Sequence, residues 1–176
     1  MEQVIVAFEN ETSCKRIRDL LEGAGAASCI VCRTAGQVRR AAGMCPLVVC
    51  GYKFPDGTAE DLFEDLPPAC AMLLVAKQTL LDLCRSEGMF RLAAPVAKGD
   101  LLASVRMLLQ MGGRPEGYAR RSSRSLEDAE VLAQAKAVLM DRHGMTEEQA
   151  HRFLQKKSMD SGSRLVQTAL LVLENP

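Results

Sequence analysis

The side chains best suited to binding chemistry are the basic residues in the last third of the chain. Residues 114–124 and residues 152–164 each carry four basic residues against one acidic residue, a net charge of +3 per window. Arg and Lys bind phosphate oxygens through charge-assisted hydrogen bonds. The whole chain balances 22 basic against 22 acidic residues, so its bulk charge does not by itself indicate a nucleic-acid-binding protein.

The second basic window falls on a predicted helix. Thr146 and Gln149 match a capping box, which begins the helix at Glu147. Arg152 and Lys156 lie four residues apart and share a face of that helix. Arg164 precedes a further helix, whose N-terminus favours an anion. The alternative interpretation is an ordinary solvated charged surface.

The cysteines favour a packing role over a reactive one. All seven lie in the first half of the chain, several within apolar runs, which is typical of buried free thiols in a reducing compartment. Cys29 and Cys32 form the one close pair, but a strand would point them to opposite faces and no second pair follows. The sequence also lacks a phosphate loop, a catalytic triad spacing and a metal cluster. We therefore predict no enzyme activity, no catalytic residue, no metal and no cofactor.

Residues 1–111 alternate short apolar runs with amphipathic stretches. Five strands are predicted at Val4–Phe8, Cys29–Cys32, Leu47–Cys50, Ala71–Ala76 and Met89–Ala93. Five helices are predicted at Glu11–Glu22, Ala35–Ala42, Thr58–Leu66, Thr79–Ser86 and Lys98–Met111. This order predicts an α/β domain with a five-stranded parallel sheet of the flavodoxin-like kind.

A linker and a helical unit follow this domain. Residues 112–124 are rich in Gly and Ser and interrupt all periodicity, so they are predicted to be a linker. Residues 125–176 predict three helices, the first ending near Gly144. Helices this short bury little apolar surface alone, so we expect a homodimer. The N-terminus lacks a basic region before its apolar run, and no apolar stretch is long enough to span a membrane, which predicts a cytoplasmic protein.

The helical unit resembles an ANTAR domain, the three-helix RNA-binding module of transcription antiterminators. The resemblance is carried by the runs AKAVLM from Ala135, TEEQAHRFL from Thr146, SMD from Ser158 and LVQTA from Leu165. Ala137 departs from the usual glycine, and Ser158 replaces a frequent alanine. The resemblance implies binding to tandem RNA hairpins that overlap a terminator, with two output domains for two hairpins. The candidate RNA-binding residues are Lys136, Ala150, Arg152, Gln155, Lys156, Ser158, Met159 and Arg164.

The N-terminal domain resembles a receiver domain whose phosphorylation site has degenerated. The acidic pair that holds the metal falls on Phe8 and Glu9, and the phosphoacceptor position is Gly51. Val75 stands at the hydroxyl position, and Ala94, before Pro95, stands at the lysine position. Glycine, valine and alanine side chains cannot accept or neutralise a phosphoryl group. The resemblance therefore implies a pseudo-receiver, with Asp56 interpreted as a turn residue.

Two other functions stay open at this stage. The last two helices are compatible with a DNA-binding helix-turn-helix, although the helix from Leu165 offers few base-reading side chains. A protein-interaction module that docks through its apolar third helix is the other alternative. The sequence does not specify the target transcript, or whether a ligand or an upstream regulatory protein controls the chain.

Overall fold

The computed structural model describes residues 2–86, 88–112 and 126–175. The predicted linker, residues 112–124, lies outside these ranges except for Gly112, which ends a helix with a left-handed backbone. The strands are β1 (Gln3–Ala7), β2 (Ser28–Cys32), β3 (Leu47–Cys50), β4 (Lys53–Phe54), β5 (Gly57–Thr58), β6 (Ala71–Ala76) and β7 (Phe90–Ala93). The helices are α1 (Glu11–Gly23), α2 (Ala35–Ala41), α3 (Ala59–Asp65), α4 (Gln78–Leu81), α5 (Lys98–Met111), α6 (Leu126–His143), α7 (Glu147–Ser161) and α8 (Leu165–Glu174).

The main sheet has five parallel strands in the order β2-β1-β3-β6-β7. This confirms the predicted flavodoxin-like sheet. Helices cover both faces, so β3 and β6 in the middle of the sheet are buried along their whole length. One face packs with α2 and α3, and the other packs with α1 and α5.

The cysteines occupy this core as thiols. Six of the seven are buried and Cys29 is partly buried. Cys32 packs on the α2 side of the sheet and Cys29 on the α1 side, as the strand alternation predicted. Burial raises the pKa of Cys32 to about 11, so its thiol stays protonated at neutral pH.

The predicted helix Thr79–Ser86 is too long. In the structure α4 ends at Leu81, and the chain then turns away from the helical path. The backbone N–H groups of Arg85 and Ser86 donate to the Glu60 carboxylate of α3, the second at 3.2 Å. Glu60, which is distant in sequence, thus accepts hydrogen bonds from two backbone N–H groups that the sequence pattern had placed in a helix.

Asp56 has a clear structural role. It lies in the β4–β5 hairpin, which the sequence did not predict. Its two carboxylate oxygens accept hydrogen bonds from the backbone N–H groups of Ala35, at 2.8 Å, and Gly36, at 2.9 Å. Thr34 caps the same helix by accepting from Gln37 N. Asp56 therefore supplements the N-terminal cap of α2, where a carboxylate also interacts favourably with the helix dipole.

The helical unit has its own apolar core between α6, α7 and α8. Thr146 and Gln149 form the predicted capping box of α7. Gly144 and Gly162 adopt positive φ angles after α6 and α7, of 63° and 72°. The α7 helix runs to Ser161 before Gly162 ends it.

We expect Asp56→Ala to lower the free energy of unfolding by about 1–2 kcal/mol, because α2 loses a carboxylate that satisfies two backbone donors. Urea denaturation followed by circular dichroism measures this. Asp19→Ala is the matched control, since Asp19 is exposed and pairs only with its neighbour Arg18 among the contacts described. Equal midpoints for the two variants would contradict the capping role.

Candidate nucleic-acid interface

The carboxyl edge of the sheet places Phe8 beside Gly51, two of the positions that the sequence assigned to a degenerate receiver site. Phe8 follows β1 and Gly51 follows β3, the neighbouring strand. A Cβ atom added to Gly51 would lie 3.0 Å from Cδ1 of Phe8. A side chain at position 51 would therefore crowd the Phe8 ring, which would have to shift slightly to make room.

Of the remaining predicted positions, Val75 and Ala94 carry no acidic or phosphate-binding side chain, whereas Glu9 is acidic. Val75 is buried in the same core as Phe8, and Ala94 donates its backbone N–H to Ala76 O at 2.8 Å. Glu9 is exposed, and its backbone oxygen accepts from the Arg33 guanidinium at 2.6 and 3.1 Å. Within the described ranges no cluster of three or more His, Cys, Asp or Glu residues could hold a metal ion.

The basic side chains of the helical unit fall into two groups. Some are exposed to solvent, whereas Arg164 contacts the sheet domain. Arg152 and Lys156 are exposed on α7, and Lys136 is partly exposed on α6. Arg152 pairs with Glu148 one turn earlier, a surface ion pair of small energetic value. Arg164 instead is the residue before α8, and its Nη2 lies 3.2 Å from Asp61 Oδ1 of α3.

Three of the predicted RNA-binding residues are buried. Ala150 and Ser158 are fully buried, and Gln155 is 8% exposed. The Ser158 hydroxyl donates to Ser163 O at 2.6 Å, which holds the turn between α7 and α8. The small side chains that the sequence offered for close approach to RNA bases therefore serve helix packing in this conformation.

Met159 and the turn that follows it lie against the sheet domain. Met159 packs on the core beside α2, and its Cε would lie 3.2 Å from a Cβ added to Gly43. We call residues 161–164 the α7–α8 turn. A Cβ on Gly162 would lie 2.8 Å from Gly36 O, so the backbones of this turn and of α2 nearly touch.

A buried ion pair underlies this contact. Arg39 of α2 and Asp65 of α3 are nearly inaccessible, with Arg39 Nη2 3.0 Å from Asp65 Oδ2. The same Asp65 oxygen accepts from the backbone N–H of Leu165, the first residue of α8, at 3.1 Å. Arg40 donates from Nη2 to Ser161 O at 3.1 Å.

Sequence reasoning missed Arg39, Arg40, Asp61 and Asp65. The available signal was the spacing of Asp61 and Asp65, four residues apart on one short helix, which places two carboxylates on one face. Nothing in the local pattern indicated that this face meets a helix N-terminus about a hundred residues later, because the contact is purely tertiary.

The two parts of the chain match known families separately. Residues 120–173 match the ANTAR domain family. The sheet domain has the fold of a response regulator receiver domain from Clostridium thermocellum, with a TM-score of 0.57 and 20% identity over 63% of this chain and 96% of that one. A signal receiver domain from Pseudomonas fluorescens Pf-5 gives a TM-score of 0.56 at 19% identity, over 63% of this chain and 88% of that one. The chain therefore combines a sheet domain that has the fold of receiver domains with a C-terminal unit that matches the ANTAR domain family.

Two curated relatives match long stretches of the chain. The transcriptional regulatory protein PdtaR of Mycobacterium tuberculosis is 26% identical over 137 residues, which cover 73% of this chain and 67% of PdtaR. The nitrate regulatory protein of Klebsiella oxytoca is 31% identical over 117 residues, which cover 66% of this chain and 30% of that protein. Among the described residues, no helix is long and apolar enough to cross a membrane.

We expect incubation with acetyl phosphate and Mg²⁺ to leave the intact mass unchanged, because Gly51, at the predicted acceptor position, offers no oxygen and lies beside the apolar Phe8 ring. Intact-mass spectrometry measures this directly. Asp56→Asn is the matched control: a phosphorylated species in the natural chain that this variant lacks would identify Asp56 as an acceptor and refute the prediction.

Proposed function

We propose that this chain is a transcription antitermination regulator whose ANTAR domain binds hairpin RNA and whose receiver domain does not respond to aspartyl phosphorylation. The observation that carries the proposal is the pairing of an ANTAR domain that exposes basic residues with a receiver domain whose phosphorylation site is apolar. The names of the two relatives, a transcriptional and a nitrate regulatory protein, support a regulatory role.

The loss of phosphorylation control is supported by steric and electrostatic arguments. A working receiver site gathers carboxylates around a divalent cation, which tolerates their mutual repulsion. Here Phe8 and Val75 are 8% and 9% exposed and leave Gly51 beside an aromatic ring. A phosphoryl group would have to be buried there without a cation, which is unfavourable.

RNA contact through the exposed basic residues is supported by their positions. Arg152 and Lys156 lie one turn apart on α7, and Lys136 lies on α6, which packs against α7. Basic side chains at such spacing can follow a phosphate backbone. Arg164 and the N-terminus of α8 would extend this surface if the α7–α8 turn left the receiver domain.

The geometry gives less support to a DNA-binding helix-turn-helix. In such a motif the second helix enters the major groove with its N-terminal residues toward the bases. The N-terminal residue of α8, Leu165, is fully buried, and its backbone N–H binds Asp65. Thr168 and Ala169 on the same helix are also buried.

We expect Lys136→Ala, Arg152→Ala and Lys156→Ala each to weaken binding to tandem-hairpin RNA similarly across loop sequences. Each should reduce the slope of log affinity against log salt by about 1, because fewer counterions are released. Fluorescence anisotropy at several salt concentrations provides both values. Lys15→Ala, an exposed charge on α1 of the receiver domain, is the matched control. If the three variants match Lys15→Ala in affinity and slope, these residues form a solvated face and the RNA proposal fails.

We expect two copies of the chain on each tandem-hairpin RNA, because two hairpins require two ANTAR domains. The pairing surface is proposed on α5 or α6, where Met107, Met111 and Met140 are exposed. Sedimentation equilibrium of the protein with and without RNA measures the stoichiometry. A single copy on saturating tandem-hairpin RNA would contradict the dimer.

A further inference from the structure

The contact between the α7–α8 turn and the receiver domain places acidic groups on the positive groups of the ANTAR domain. Asp61 pairs with the Arg164 guanidinium, and Asp65 accepts the first backbone N–H of α8. A guanidinium beside a helix N-terminus is the combination that proteins use for phosphate groups. Both donors are therefore already engaged by carboxylate oxygens.

We propose that Asp61 and Asp65 act as an internal substitute for RNA phosphate, so that the receiver domain competes with RNA for Arg164 and the N-terminus of α8. This inference rests on the proposed RNA-binding function and adds its regulation. Docked and released conformations of the ANTAR domain are in equilibrium, and RNA that uses Arg164 binds the released one. The docked conformation reduces the apparent affinity for RNA by the fraction of molecules that are released.

The docked contact is built to be specific. Gly36 and Gly162 let the two backbones approach so closely that a Cβ on either residue would lie 2.8–3.0 Å from the partner carbonyl oxygen. Arg40 donates to Ser161 O, and Arg39 reaches Gly162 O at 3.5 Å. Carbonyl groups at the end of α7 are thus held by arginines of α2 while the start of α8 is held by an aspartate of α3. Each helix end meets the charge that its dipole favours.

The same contact leaves Arg164 incompletely satisfied. Its Nε is buried and has no hydrogen-bond partner among the described residues, while Asp61 and the more distant Asp128, at 4.0 Å, lie near Nη2. A phosphate group offers several acceptor oxygens and can engage a guanidinium through two nitrogens. RNA phosphate can therefore satisfy a donor that the receiver carboxylates do not.

Release of the α7–α8 turn does not require chemistry at the receiver edge. The contact lies on α2 and α3, whereas Phe8, whose ring lies against Gly51, packs in the core on the opposite face of the sheet, with α1 and α5. RNA itself shifts the equilibrium toward the released conformation, because it binds that conformation more tightly than the docked one.

Two variants test the proposal by different routes. Asp61→Asn removes one carboxylate charge with little change of shape and should tighten RNA binding about two- to fivefold, the range expected for one partly exposed ion pair. Gly36→Leu places a side chain against Gly162 O and should tighten binding about tenfold or more by displacing the turn. Their matched controls lie on α1. Asp19 is exposed, so Asp19→Asn removes a charge away from the contact, and a Cβ on Gly23 meets no atom within 4 Å, so Gly23→Leu is accommodated.

Each full-length variant is titrated with fluorescent tandem-hairpin RNA carrying randomised loops. Amide hydrogen exchange of residues 162–168 reports release without RNA, and urea denaturation confirms folding. The proposal expects faster exchange and tighter RNA binding in Asp61→Asn and Gly36→Leu, with both controls equal to the natural chain. If Gly36→Leu fails to fold, Asp61→Asn alone decides between these outcomes.

Two results overturn the proposal, and they differ from failure of the proposed function. Faster exchange with unchanged or weaker RNA binding would mean that the docked conformation does not compete with RNA. Unchanged exchange and unchanged affinity in both variants would mean that these residues do not hold the turn. If neither the natural chain nor any variant binds hairpin RNA at low salt, the RNA-binding function itself fails, and the competition fails with it.

Discussion

The carboxylate of Asp65 joins the two halves of this molecule. One of its oxygens lies within 3.2 Å of two nitrogens of the buried Arg39 guanidinium and also accepts the Leu165 amide N–H. A buried ion pair of this kind adds little net stability compared with an apolar replacement, but the loss of one partner costs about 3–5 kcal/mol. The pair is formed within the sheet domain, and in this structure its Asp65 oxygen also satisfies the first amide of α8.

This constraint explains why the ANTAR domain shows two kinds of basic residue. Arg152 and Lys156 are exposed on α7, before Met159. Arg164 instead lies just before α8 and pairs with Asp61 of α3. Under the proposed function, one part of the RNA surface is exposed in the docked conformation, whereas the part at Arg164 is engaged by the receiver domain.

The fold of the receiver-type domain and its proposed loss of phosphorylation chemistry depend on different residues. The sheet depends on apolar strands covered by helices on both faces, and these are intact. The proposed loss concerns the carboxyl edge, where Phe8 packs against Gly51. An aromatic ring in place of a charged cluster avoids carboxylate repulsion and buries apolar surface, so the proposed loss is compatible with stability. What remains is a scaffold that presents α2 and α3 to the ANTAR domain.

The sequence by itself determined the five parallel strands, the capping box at Thr146, the free buried cysteines and the resemblance to ANTAR and receiver domains. These follow from periodicity, turn chemistry and short motifs, which are local properties of the chain. Tertiary structure alone decided that α4 ends at Leu81, that Asp56 caps α2, and that Ala150 and Ser158 pack inside the helical unit. It also decided that Arg164 meets Asp61, a pair separated by 103 positions. Local patterns specify which face of a helix is apolar, but they do not specify which distant surface covers it, because that choice depends on shape and charge complementarity between segments that meet only after folding.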